Sequence, residues 1–374
     1  MQPAATASAG SGVEESTGAW GRLQSFQVFV AAPDSLLALF PLPSAATIWT
    51  FVGLGPDEVT AALDQPGLPD GTREELLDRN RWIMSSDSIQ VVPSEAAVRS
   101  LPPDVRAGIY AVLSRWEDNE FQHSPYYVAD NDVRHWLANA GLREELVDTI
   151  ARTTYPVGNA LCFSDLPLVV SLTTSHAEAR SLFKALSRTE TSILRLRLDS
   201  GADIERIRQY WSSGAANAKD FLPLLESVAE NPDVNHLDIT HILPPTARRL
   251  LYTFPRSSQA IGGRYPDCHW TSLNFFADRP EPRLGDAVGA TMFAMENYER
   301  GEMPFSYGDV VFMTDAEGNA IHSCVFLADG FVFTKNGANL LSPWLIMKLD
   351  DVRDRYSRHG PVDVVIYRRI DLGK

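Results

Sequence analysis

The feature that most restricts this chain is a series of short apolar runs near its end: 309–314, 320–327, 331–336, 345–349 and 362–369. Each alternates or clusters β-branched and aromatic residues, and turn residues such as Asp329-Gly330 punctuate the series, the pattern of consecutive strands. Most of the links are too short for the crossover of about a dozen residues that parallel neighbours need, so the series reads as an antiparallel meander. A single helix is expected just before it, opening at Asp267 after the turn signal Tyr265-Pro266 and carrying Leu273, Phe275 and Phe276 as anchors. One helix on an antiparallel sheet is an α+β arrangement.

The rest of the chain reads differently. Ser94-Glu95 and Pro103-Asp104 open helices, 177–186 repeats a one-sided apolar stripe, 192–198 alternates as a strand, and Asp203 caps a helix over 204–211. Residues 21–245 are therefore expected to form a mixed, mainly helical α/β accessory domain, with a break near Pro244-Pro245 and a second domain over 246–374. Residues 1–20, rich in Ala, Ser and Gly, read as a flexible tail without the basic start and apolar core of a secretory signal, which leaves the compartment open. The 374 residues are enough for two cores.

Charge narrows the partners. A formal net charge of -15 argues against nucleic acid, which needs basic surface to replace its counterions. The uncharged run 35–56 is interrupted by Pro41 and Pro43 and reads as buried core, with no stable membrane insertion expected. Three cysteines, Cys162, Cys268 and Cys324, do not make a disulfide framework. Trp20, Trp49, Phe51, Tyr126 and Tyr127 read as core, and His236 and His241 as surface or satisfied histidines.

Cys268 falls at the expected helix start, where backbone N–H groups and the helix dipole favour thiolate. His322 heads the second strand of the meander. If Ala328-Asp329-Gly330 forms a three-residue hairpin loop, His322 lies opposite Asn336, which could orient the imidazole; Thr334 is the alternative third member. A two-residue loop would instead bring Lys335, which accepts no hydrogen bond, to that face. Cysteine, histidine and polar orienter in that order are the parts of a thiol hydrolase.

The motifs Asp267-Cys268-His269-Trp270, Gly308-Asp309-Val310-Val311-Phe312 and His322 to Thr334 resemble those of the NlpC-type cell-wall peptidases, a papain-like family. The family's Ser-Gly after the cysteine is replaced here by His269-Trp270, and the resemblance covers the last third of the chain. It implies a papain-like catalytic domain that cleaves an amide in a peptide or peptidoglycan-like substrate through a Cys268 acyl-enzyme, without a cofactor. His322 would be the base, Thr334 or Asn336 its orienter, and Tyr252 the upstream tyrosine that lines the site. Two other readings remain: a binding module on a peptidase-like fold, and a zinc site drawing on Cys268, His269, His322 and Cys324.

Overall fold

The computed structural model describes residues 13–42, 46–199, 201–212, 218–231, 233–260, 263–357 and 360–370. The protein is α+β, and its strand pairings among the described residues are antiparallel. The chain divides into two compact units, residues 37–188 and residues 1–36 with 189–374.

The unit of residues 37–188 builds its core on two small sheets. One orders Trp49–Val52, Ser88–Val91 and Ile83–Met84; the other orders Tyr126–Tyr127, Ala160–Phe163 and Tyr155–Val157. Helices Glu95–Ser100, capped by Ser94, and Pro103–Leu113 add Val98, Ile109 and Leu113 to a core with Trp49, Phe51 and Cys162. A fully buried ion pair, Arg106–Asp165, lies inside it, with Tyr110 donating to the same carboxylate and the Val98 carbonyl accepting from the guanidinium. Arg106 Nη1 and Nη2 and both Asp165 oxygens are bonded within the cluster, while Arg106 Nε has no hydrogen-bond partner among the described residues.

The other unit carries both remaining sheets. The first orders Glu14–Gly18, Gly21–Val30, Thr189–Arg197 and His236–Asp238; the second orders Tyr298–Arg300, Asp363–Arg369, Val310–Thr314, Ala320–Ala328, Phe331–Lys335 and Trp344–Lys348. The expected meander is present, and the last strand returns to pair with Val310–Thr314 on its other side. One core joins the two sheets, with Leu23, Leu194 and Leu196 from the first and Val310, Val325, Leu327, Phe333 and Ile346 from the second. Thr191 Oγ1 fastens them further by donating to the Ile346 carbonyl at 2.9 Å and accepting from its N–H at 3.0 Å.

Two expectations about domain organisation are corrected. Residues 14–18 of the presumed tail form a strand against Gly21 to Ser25, while residues 1–12 lie outside the described residues. The break expected near 245 falls inside one unit, because Pro245 begins the helix Pro245–Leu250, where a missing N–H costs nothing. The long pairing of Gly21–Val30 with Thr189–Arg197 brings both flanks of the 37–188 segment into the unit that holds the cysteine. No helix among the described residues is long and apolar enough to cross a membrane.

Candidate functional site

Cys268 is the first residue of the helix Cys268–Leu273. Asp267 is its N-cap, in extended conformation, and accepts from the Trp270 N–H at 2.8 Å. Trp270, Leu273 and Phe275 pack with Val325, Leu327, Phe331, Phe333, Trp344 and Ile346. Trp344 Nε1 donates to Thr271 Oγ1 at 3.0 Å, and the Phe275 and Phe333 rings are 5.6 Å apart. These contacts fix which face of the sheet the helix covers: the one that bears residues 325 and 327 of one strand and 331 and 333 of the next.

The hairpin after His322 combines the two loop lengths considered. Ala328 pairs with Phe331 across a two-residue turn in which Asp329 and Gly330 both have positive φ, 50° and 73°, the Asp-Gly type I′ geometry. A register shift between Phe326 and Ala328 then inserts one residue, so Phe326 pairs with Val332 and Val325 with Phe333. Continued along the strands, that register sets His322 opposite Asn336, as the three-residue loop would have done.

His322, Thr334 and Asn336 therefore do come together. His322 Nε2 lies 3.0 Å from Thr334 Oγ1, which is 3.4 Å from Asn336 Oδ1. Thr334 holds the ring, and Asn336 Nδ2 turns to Met347 Sδ at 3.1 Å. The cluster faces away from the cysteine helix, because side chains alternate along a strand and His322 shares parity with Cys324, which packs with Val311, Met313, Phe326, Val332 and Val352 on the other side. There the imidazole stacks on Tyr356, centroids 4.1 Å apart and planes 20° apart. The expectation that His322, Thr334 and Asn336 point at the thiol is thus corrected: no hydrogen bond joins Cys268 and His322 among the described residues, and the ring is fully buried. Burial holds its pKa well below that of a free imidazole, with His269 and Arg355 adding repulsion, and Nδ1 has no hydrogen-bond partner among the described residues.

Ser323 takes the position facing the helix. Its Oγ lies 3.0 Å from Ser272 Oγ and 3.4 Å from the Cys268 carbonyl oxygen, and His269 Nδ1 is 2.9 Å from the same Ser323 oxygen. Ser272 Oγ in turn donates to the Cys268 carbonyl at 2.8 Å. One proton arrangement satisfies the three shorter contacts: His269 Nδ1–H donates to Ser323, Ser323 to Ser272, and Ser272 to the carbonyl. The chain pins the first turn of the helix to the strand.

The thiol itself is 7% exposed. Burial pushes its pKa up to about 12, the Asp267 carboxylate adds to the rise, and the backbone N–H groups of Ser323, His269 and Cys268 pull the other way. Cys268 thus rests as a neutral thiol at the helix start. Lys335 occupies the same side of the sheet. Its parity is that of Phe331 and Phe333, it is fully buried, its Nζ donates to the carbonyls of Gly337 at 2.5 Å and Asn339 at 3.3 Å, and it lies over the Trp344 ring. Burial draws its pKa down to about 7 against the attraction of Cys268 and Asp267. The strand pattern carried this signal, since a residue two past Phe333 must share its face.

Tyr252 is committed elsewhere. Its hydroxyl, expected to line the site, donates to the Ser192 carbonyl at 2.7 Å, and burial pushes the phenol pKa far up. A cleft of about 380 Å³ opens beside the helix start, lined by Gly263, Arg264, Tyr265, Pro266, Asp267, Gly285 and Ala338. Ala338 belongs to the loop whose carbonyls hold Lys335. The four residues considered for zinc are divided by the sheet, with Cys268 and His269 on the helix side and His322 and Cys324 on the other; all three cysteines are free.

No protein-family model matches the chain, nor does any curated protein or solved structure.

Proposed function

We propose that the protein is a thiol-dependent amidase or peptidase in which Cys268 attacks an amide carbonyl of a peptide or peptidoglycan-like substrate, on a papain-like arrangement of helix and sheet. The observation that carries this reading is the place of the thiol: Cys268 opens the helix that Asp267 caps, beside a cleft of about 380 Å³. Fixed N–H donors at a nucleophile also serve the oxyanion that forms when it adds to a carbonyl. Sulfur bonds to the carbonyl carbon, the C–N bond breaks as the leaving amine takes a proton, and water hydrolyses the thioester. Arg264, in the cleft wall and without an ion-pair partner among the described residues, offers a cation for a substrate carboxylate.

The test is hydrolysis of peptide amides and peptidoglycan fragments by the whole chain, read as released amine. The reading expects turnover that Cys268→Ser abolishes, with an acyl adduct on Cys268 in the mass spectrum of the trapped protein. A second reading, binding without turnover, is favoured by the seclusion of His322 on the far face. It expects saturable binding of the same fragments with no product and no adduct.

A further inference from the structure

We propose that Lys335, the buried amine on the helix-facing side of its strand, is the base that takes the Cys268 proton. The inference rests on the thiol chemistry proposed above and assigns the part that His322 cannot play from the other face.

Geometry carries it first. Lys335 follows Phe331 and Phe333 in parity, and both rings pack with the cysteine helix, so its stem enters the layer between helix and sheet. Trp344 links the two groups: its ring lies under Lys335 Nζ, centroid 5.7 Å away, stacks at a tilt beside Trp270, and its Nε1 binds Thr271 in the first turn after Cys268. The Gly337 and Asn339 carbonyls hold the nitrogen from one side, in the loop that supplies Ala338 to the cleft.

Valence makes the arrangement suitable for a base. A neutral amine has two N–H bonds and one lone pair, and two carbonyls use both N–H bonds. The lone pair then remains to accept a proton through one water, since no hydrogen bond joins Lys335 Nζ to Cys268 among the described residues. A lysine shielded from water is neutral at ordinary pH far more often than an exposed one. Cys268 and Asp267 are the charged or titratable groups that act on Lys335 from the helix, and its burial opposes their pull.

The proton accounting closes. The thiol proton passes to Lys335 Nζ, giving ammonium and thiolate; the thiolate adds to the carbonyl; and the ammonium returns the proton to the leaving amine. In the second half the amine accepts a proton from water as it attacks the thioester, and returns it to sulfur.

The experiment follows both partners without substrate. Lys335 is titrated by NMR of its side-chain carbon next to nitrogen, in the wild-type chain and in Cys268→Ser. The pH dependence of Cys268 alkylation is measured in the wild type and in Lys335→Met. The proposal expects Lys335 to titrate differently once the thiol is gone, and alkylation at pH 8 to slow about tenfold in Lys335→Met, an upward shift of about one pKa unit. A Lys335 titration unchanged in Cys268→Ser overturns it, even where Lys335→Met fails to fold. So does an unchanged alkylation profile in a folded Lys335→Met. Thiol–amine coupling without product from any peptide amide would leave the pairing standing and reject the hydrolase reading instead.

Discussion

His322 and Ser323 are consecutive residues that stand on opposite sides of one sheet: Ser323 Oγ reaches Ser272 Oγ at 3.0 Å in the cysteine helix, and the His322 ring stacks on Tyr356 at 4.1 Å. A single step along the strand separates the residue that touches the cysteine helix from the residue expected to activate its thiol. The groups that share a layer with Cys268 are Ser323, Ser272, His269, Asp267 and Lys335.

The Asp267 carboxylate both caps the helix and raises the thiol pKa. Asp267→Asn keeps an acceptor for the Trp270 N–H and removes the charge, so Cys268 alkylation should reach its half-maximal rate at lower pH than in the wild type. Asp267→Ala should show the same downward shift and also lose about 1 kcal/mol of folding stability, measured by urea unfolding.

Stability should fall on mild acidification. His322 is held neutral in the folded protein, while in the unfolded chain it titrates near the ordinary imidazole value of about 6.5. Between the two pKa values the unfolded chain binds the extra proton, so stability drops as pH falls below about 6.5, by at most about 1.4 kcal/mol per pH unit from this group. Urea unfolding at pH 7, 6 and 5 checks this, and His322→Phe, which preserves a ring against Tyr356, should flatten the acid limb.

In the unit of residues 37–188, removing one partner of the Arg106–Asp165 pair leaves the other charge buried. Asp165→Ala should destabilise by about 3–5 kcal/mol, and thermal unfolding of the variant reports it.

Gly308 has φ of 87°, and a Cβ there would stand 2.3 Å from Cζ of the Phe276 ring. Gly308→Ala should cost about 1–3 kcal/mol through that overlap, with strain from the positive φ in addition. A smaller loss, measured the same way, would mean that Phe276 moves aside freely.

Much of this fold could be read before any coordinates. The strands of the meander fall within one or two residues of their expected limits, because alternation, short links and Asp-Gly punctuation all act locally. The cap at Asp267 is equally local. What escaped was non-local. The pairing of Gly21–Val30 with Thr189–Arg197 joins segments far apart in sequence, and nothing within either names its partner.

The site was half legible for a specific reason. Parity groups His322 with Asn336 and Lys335 with Phe333, and both groupings hold, but parity does not say which set meets the helix. In an ordinary amphipathic strand the apolar set would decide. Here both faces of Ala320–Ala328 are covered, Val325 and Leu327 by one core and Cys324 and Phe326 by another, so hydrophobicity gives no preference. The answer lay in Trp344 and Phe333, whose contacts with the helix appear only once the chain is folded.

The most direct measurement is the pH dependence of Cys268 alkylation in the wild type and in His322→Asn, with adducts located by peptide mass spectrometry. A thiol governed from the helix side of the sheet predicts superimposable profiles in the two proteins. A profile displaced by about one pH unit or more in His322→Asn, with the fold intact, would contradict it and return His322 to the thiol.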